Sequence, residues 1–293
     1  LGCYKHMKEA YQKQFDALAS YYGPMLNRGP SKRHIIYTLH DFDHHCYDIY
    51  QIISNFILGE EGLEQLSGEE CYLLNLSVLF HDISMCKGGY ENKEKTAFNR
   101  DFHSLQSSQW LQHEYDDSNS VLHTCGKLTP QQMKMLCDIC QAHSDVKNHP
   151  LSNSEDNGIL NEKLQFSEEG RSGKVRVKAL AGVLRLADEL DVTSARLGNS
   201  GEEDDLLPDD KDDQESKKHW ERLHLIISLK FKNPSTLYLV LDEAKVKERM
   251  DKGDELSVRK DLTEIKDKIE KELKSFRDVV IEQHKESARL ITL

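Results

Sequence analysis

The most apolar run of the sequence is residues 67–83, SGEECYLLNLSVLFHDI. Ser67, followed by Glu70 three residues later, forms the pattern of a capping box and predicts that a helix begins here. This helix is apolar on most of its sides, so we expect it to lie at the centre of the fold. It ends in His81 and Asp82, and an imidazole beside a carboxylate costs free energy to bury unless the charges are matched. A bound cation would supply that match.

Helical periodicity continues on both sides of this run. The predicted helices cover residues 4–22, about 44–58, 101–113, 130–143 and about 175–190. We expect the first of them to end at Gly23-Pro24 and the fourth to begin at Thr129-Pro130. Residues 150–173 lack this periodicity and are predicted to form a loop. The chain is therefore predicted to be mainly α.

The last third of the sequence has a different character. Residues 198–218 contain nine acidic residues and few apolar ones, which predicts a mobile insertion. Two β-rich runs, 224–231 and 235–241, flank a Lys-Asn-Pro turn and predict a hairpin. Coiled-coil-like spacing over about 258–286 predicts a long final helix.

The chain is thus expected to have three parts. They are a helical domain over residues 1–197, the acidic insertion over 198–218, and a small hairpin with a long helix over 219–293. We expect the third part to pack on the helical core or to link it to a further domain.

The composition excludes several classes of protein. Fifty-one acidic residues against 39 basic ones give a net charge of −12, which disfavours binding to duplex nucleic acid. No apolar run approaches the ~18 residues of a membrane-spanning helix, so no membrane association is expected. Seven scattered cysteines and the lack of a signal-peptide pattern indicate the reducing cytoplasm. Because the sequence begins at Leu1 rather than at a methionine, we expect it to be a piece of a longer protein.

Polar residues recur at two further places beside apolar helices. Residues 40–45 read HDFDHH and lead into the second predicted helix. Asp188 lies on the core-facing stripe of the helix over about 175–190. A pairing with Arg185 or a position at a solvated edge would also explain Asp188.

The order of these residues resembles the H…HD…D pattern of the HD-domain metal-dependent phosphohydrolases. The resemblance covers about residues 35–195 and implies an all-helical fold, so residues 1–197 would be an HD-type metal-binding domain. It further implies that a divalent ion is surrounded by His44, His81, Asp82 and Asp188.

Two adjacent histidines compete for the first ligand position. The spacing from His40 to His44 resembles the paired histidines of the family, which favours His44. His45 shares a helix face with Ile49 and Ile52, which also suits an inward-facing ligand. We take His44 as the ligand and keep His45 as the alternative.

The resemblance to two-metal members of the superfamily adds two histidines to the expected ligands. His103 and His143 lie between the HD pair and Asp188, where two-metal members of the superfamily place further ligands. This implies six ligands and two ions, with Asp82 bridging them, whereas a single ion would need only the first four ligands. Softer transition metals (Mn, Fe, Co, Ni or Zn) suit four imidazoles and two carboxylates better than the alternative, Mg²⁺.

Within the superfamily, the sequence most resembles HD domains that are fused to, or encoded beside, GHKL-type ATPase modules. These share a downstream tryptophan and hairpin, here Trp220 and residues 223–241. A GHKL-type ATPase domain in the same or a neighbouring chain is therefore an expected partner, while the oligomeric state is left open. One departure is Ser84, which stands where the family often has glycine and predicts an altered turn beside the site.

Another metal site is suggested by Cys137, Cys140 and His143, which resemble half of a zinc site. The other half is missing, and isolated cysteines on a helix are usually small core residues. We therefore expect no structural zinc here.

These expectations favour a metal-dependent phosphohydrolase or phosphodiesterase that acts on a nucleotide or a short oligonucleotide. His81 and Asp82 would then be catalytic, and Lys87 and Arg185 are the nearest candidates to contact phosphoryl oxygens. Arg185 would otherwise neutralise a neighbouring aspartate. One alternative is a non-catalytic metal- and nucleotide-sensing module that regulates an ATPase partner. Another is a single-strand nuclease, which the acidic charge disfavours.

Overall fold

A computed structural model describes residues 2–28, 41–86, 93–144, 175–194, 221–233 and 236–276. The expectations for residues 150–173, residues 198–218, Lys87 and Trp220 lie outside these ranges, as does the final helix beyond residue 276.

The described part of the chain is mainly α, as the sequence predicts. Its first helices are α1 (Gly2–His6), α2 (Glu9–Arg28), α3 (Tyr47–Ile52), α4 (Gly59–Glu64), α5 (Gly68–Phe80), α6 (Ile83–Cys86), α7 (Lys93–Asp116), α8 (Pro130–Ala142) and α9 (Val177–Leu190). Short π-helical turns lie at Phe42–Cys46, Ile53–Ile57 and Leu122–Gly126. The C-terminal part consists of β1 (Ile226–Asn233), β2 (Thr236–Leu241), α10 (Glu243–Asp251) and α11 (Glu255–Phe276). Within these ranges, no helix is both long and apolar enough to cross a membrane.

Helix α5 is the central element of the fold. The Glu70 backbone N–H donates to the Ser67 hydroxyl over 3.1 Å, and the Ser67 N–H donates to the Glu70 carboxylate over 2.8 Å. The predicted capping box is therefore confirmed. Every residue from Glu70 to Phe80 is buried, and α1, α2, α8 and α9 pack around them.

The Glu70 carboxylate also holds the beginning of α9. Arg176 donates to its two oxygens from Nε and Nη2 over 2.7 and 2.9 Å, and both side chains are buried. The same guanidinium donates to the Gln65 carbonyl over 2.8 Å. This bidentate pair fixes α9 against the capped end of α5.

Helix α2 runs without a break through Gly23 and Pro24, so the predicted end at this dipeptide is wrong. A proline inside a helix costs about 3 kcal/mol because it removes a backbone hydrogen bond and crowds the preceding turn. Packing on both sides outweighs this cost here. Tyr22 and Leu26 are buried in the core, and a Cβ on Gly23 would lie 3.2 Å from the ring of Phe42.

The C-terminal part packs on the helical core. Strands β1 and β2 pair antiparallel, with Leu229 opposite Leu239, which confirms the predicted hairpin. Helix α10, for which the sequence analysis gives no prediction, joins the hairpin to α11. Helix α11 packs against α9 and buries Ile265 and Ile269.

Candidate metal centre

Six imidazole and carboxylate side chains converge beside the C-terminal end of α5. They are His45 from the first π-helical turn, His81 and Asp82 after α5, His103 from α7, His143 after α8 and Asp188 from α9. Elements that are far apart in the sequence thus meet at one point.

One half of the cluster combines two histidines with two aspartates. The Nε2 atoms of His45 and His81 are 3.2 Å apart. The Oδ2 atom of Asp82 is 3.6 Å from the first nitrogen and 3.4 Å from the second, and the Oδ1 atom of Asp188 is 3.5 and 4.0 Å from them. Ligands about 2.0–2.2 Å from a shared ion lie roughly 3.0–3.6 Å from one another. Four of the five distances fall in this range and the fifth exceeds it by 0.4 Å, so the spacing of this group suits one ion.

The other half is built on the second oxygen of Asp82. Its Oδ1 atom is 3.4 Å from His103 Nε2 and 3.3 Å from His143 Nε2. These two nitrogens are 3.0 Å apart. Asp82 thus offers one oxygen to each half of the cluster, which is how a carboxylate that bridges two ions is placed.

Hydrogen bonds behind the rings determine which nitrogen faces the cluster. His81 Nδ1 lies 2.9 Å from the Val78 carbonyl, and His143 Nδ1 lies 2.5 Å from the Cys140 carbonyl. Because a carbonyl only accepts, each Nδ1 carries the hydrogen. In the neutral ring, Nε2 then presents a lone pair to the cluster, as a metal ligand must.

Asp191 orients the third buried imidazole. His45 donates from Nδ1 to the Asp191 carboxylate over 2.6 Å, and both side chains are buried. A carboxylate behind a ligating histidine fixes the ring and raises its basicity. This role of Asp191 is not among the sequence-based predictions, although the residue follows Asp188 by three positions, close to one helical turn.

The donor set fits a divalent cation. Burial lowers the pKa of His81 to about 4, so this ring is neutral at neutral pH. Burial also opposes protonation of His143, but the hydrogen bond and the charge of Asp82 outweigh it and raise the pKa of His143. With both rings neutral and both Nδ1 atoms donating, the facing Nε2 atoms of His45 and His81 would present lone pairs to each other across 3.2 Å, which repel. A cation between them would remove this repulsion and match the two carboxylates.

The structure places His45 in the cluster and His44 outside it, which corrects the preference for His44. Asp41 caps the π-helical turn by accepting from the backbone N–H groups of both histidines, over 2.9 Å for His44 and 3.2 Å for His45. The same carboxylate accepts from His44 Nδ1 over 2.8 Å and holds this ring at the surface, where 45% of the side chain is exposed. This hydrogen bond raises the pKa of His44. His45 is buried with Ile49 and Ile52, on the same helix face.

Arg185 is paired with the C-terminal helix. Its Nε and Nη2 atoms donate to the Glu272 carboxylate over 2.5 and 2.7 Å, and both side chains are nearly buried. The charge of Arg185 is therefore matched by Glu272 of α11, and its contact with phosphoryl oxygens stays a prediction. Lys87, the other expected contact, lies outside the described residues.

Ser84 connects the turn after Asp82 to the helix that carries His103. Its hydroxyl donates to the His103 carbonyl over 2.9 Å and accepts from the Ser107 hydroxyl over 3.0 Å. The Ser84 backbone N–H donates to the Ser107 hydroxyl over 3.2 Å. The residue that departs from the family pattern thus helps to position His103.

The two cysteines of the Cys-x-x-Cys-x-x-His pattern are core residues. Cys137 Sγ donates to the Ser108 carbonyl over 3.4 Å, and Cys140 Sγ to the Ser77 carbonyl over 3.9 Å. Burial raises the pKa of Cys137 to about 11 and that of Cys140 well above its usual value, so both thiols keep their protons. Of this pattern, His143 alone belongs to either of the metal-ligand groups formed by the described residues.

Comparison with known proteins places most of the chain in a family. A scan against protein-family models matches residues 35–275 to HD-CE, which is most of the chain. The protein therefore contains an HD-type domain and belongs to the HD-CE family. Neither a curated protein nor a solved structure matches the chain significantly.

Proposed function

We propose that this protein is a metal-dependent phosphohydrolase or phosphodiesterase that acts on a nucleotide or a short oligonucleotide. The observation that carries the proposal is the position of the Asp82 carboxylate between two groups of histidine Nε2 atoms. One oxygen lies 3.4 Å from His81, and the other lies 3.3 Å from His143. Membership of an HD-type family supports the reaction class.

The residues that would hold the ions point to the kind of metal. His45, His81 and Asp188 would share one ion with Asp82, and His103 and His143 would share the other. Four imidazoles favour Mn, Fe, Co, Ni or Zn over Mg²⁺. When bound, such ions act as Lewis acids and lower the pKa of a water at the site.

The exposure of the six side chains indicates where a substrate would approach. The side chains of Asp188 and His103 are 24% and 20% exposed, whereas the other four are buried. The buried imidazoles would therefore form the floor of the site, and these two residues its rim. A phosphate group would reach the site from the rim.

The test combines metal content with turnover. The full chain, loaded with Mn²⁺, Co²⁺, Ni²⁺ or Mg²⁺, is incubated with nucleoside mono- and triphosphates, cyclic dinucleotides, short oligonucleotides and generic phosphodiesters. We expect hydrolysis of at least one phosphoester class, which Asp82→Asn abolishes. A chain that binds metal but hydrolyses none of them would contradict the proposal and favour the non-catalytic regulatory module. Association with a GHKL-type ATPase module stays a prediction.

A further inference from the structure

Two ion pairs join α11 to the part of α9 that carries Asp188. Arg185 is paired with Glu272, as described above, and Lys268 Nζ lies 2.6 Å from the Glu189 carboxylate. Arg185 precedes Asp188 by three residues, and Glu189 directly follows it. Helix α11 is therefore ion-paired to α9 at one residue before Asp188 and at one residue after it.

The ion pair between Arg185 and Glu272 is buried, so breaking it is costly. Arg185 and Glu272 are each 7% exposed and bond through two parallel hydrogen bonds. Removing one partner of such a buried pair leaves the other charge in the core, which is strongly destabilising. In the second pair Glu189 is 14% exposed but Lys268 is 64% exposed, so solvent screens this pair more than the first.

The charge pattern permits one register of the two helices. The paired residues are four apart on each helix, and they pair in opposite order, as in antiparallel helices. A shift of one turn in one direction would bring Arg185 to Lys268 and Glu189 to Glu264. A shift in the other direction would bring Glu189 to Glu272. Each shift would place like charges opposite each other, so sliding of α11 along α9 is disfavoured.

We propose that Glu272 and Lys268 are positioning residues that hold Asp188 in place for the ion bound with His45. This inference rests on the proposed metal site. Asp188 belongs to only one of the two ligand groups, and the group with His103 does not contain it. Loss of these ion pairs would thus weaken one ion and spare the other.

The experiment measures the affinity of each ion separately. Metal-free full chain is titrated with Mn²⁺ and with Co²⁺ by calorimetry, for the wild type, Glu272→Gln and Lys268→Met. We expect Glu272→Gln to weaken one equivalent by about tenfold or more and the other by less than about twofold. Lys268→Met, which removes a side chain that is 64% exposed, is expected to fold as the wild type does and to weaken the same equivalent to a smaller extent.

A matched control lies on the exposed face of the same helix. Glu270 pairs with Lys266 over 3.5 Å, and both side chains are mostly exposed, so Glu270→Gln should leave both affinities unchanged. Equal weakening of both ions in the folded Lys268→Met protein would indicate a general structural role and overturn the inference. Unchanged affinities in both test variants would overturn it as well. A wild-type chain that binds no metal would instead refute the proposed function, and the inference with it.

Discussion

At the residue scale, the direction of each side chain decides whether it reaches the metal centre. His44 and His45 are adjacent and of the same type, yet Asp41 holds the first at the surface. The second has its Nε2 atom 3.2 Å from that of His81. The two histidines therefore offer a matched pair of variants.

We expect His45→Ala to lower the metal content of the purified chain by about one equivalent, because it removes an imidazole from the group of four ligands. His44→Ala should keep the wild-type content. Elemental analysis of both purified variants measures this difference. Loss of metal from His44→Ala together with full content in His45→Ala would refute the assignment of His45.

Asp191 should act on metal binding through His45. Asp191→Asn removes the negative charge behind the ring, and we expect metal affinity to fall about 10- to 100-fold. Calorimetric titration of the metal-free protein measures it. Asp138→Asn, at a partly exposed carboxylate paired with Lys134 on α8, is the control and should change nothing. Equal affinities in Asp191→Asn and this control would contradict the role of Asp191.

At the element scale, Glu70 is the residue that links two elements of the fold. It closes the capping box of α5 and pairs with Arg176 at the beginning of α9. We expect Glu70→Gln to lower the free energy of unfolding by about 3–5 kcal/mol, since it leaves a buried guanidinium without its carboxylate. Ser67→Ala should cost about 1 kcal/mol, because it removes only the cap. Urea denaturation measures both, and equal losses would contradict the role of the buried ion pair.

The same scale shows which elements a sequence can predict. The capping box at Ser67 and the Thr129-Pro130 pair are local signals, and both helices begin where they predict. Helix α10 buries none of its residues, and its sequence lacks the apolar stripe from which a helix is predicted. It is held instead by the Asp242 cap and by the ion pairs of Arg249 with Asp254 and Asp261. Caps and ion pairs of this kind leave no periodic apolar pattern in the sequence.

At the scale of the whole molecule, most of the candidate site follows from the order of motifs along the chain. His81, Asp82, His103, His143 and Asp188 are all expected from the sequence, and the structure brings them together. Which of His44 and His45 faces the cluster depends on the π-helical turn over Phe42–Cys46. Such a turn changes the directions in which successive side chains leave the helix. The pairs of His45 with Asp191 and of Arg185 with Glu272 join residues 146 and 87 positions apart, so no local pattern predicts them.

The acidic segment should contribute little to the folded molecule. Residues 201–215 have Leu206 and Leu207 as their only large apolar side chains, so they offer little apolar area to a core. We expect their deletion to leave the melting temperature within a few degrees of the wild type and the metal content unchanged. A larger fall in melting temperature would show that the segment is docked.

The position of Asp82 between two groups of histidines makes the number of bound ions the central quantity. Elemental analysis of the metal-loaded chain is its most direct measurement, with His103→Ala and His143→Ala as the variants. We expect two ions per wild-type chain and about one in each variant, because the group of His45, His81 and Asp188 stays intact. Wild-type stoichiometry in both variants would contradict this expectation.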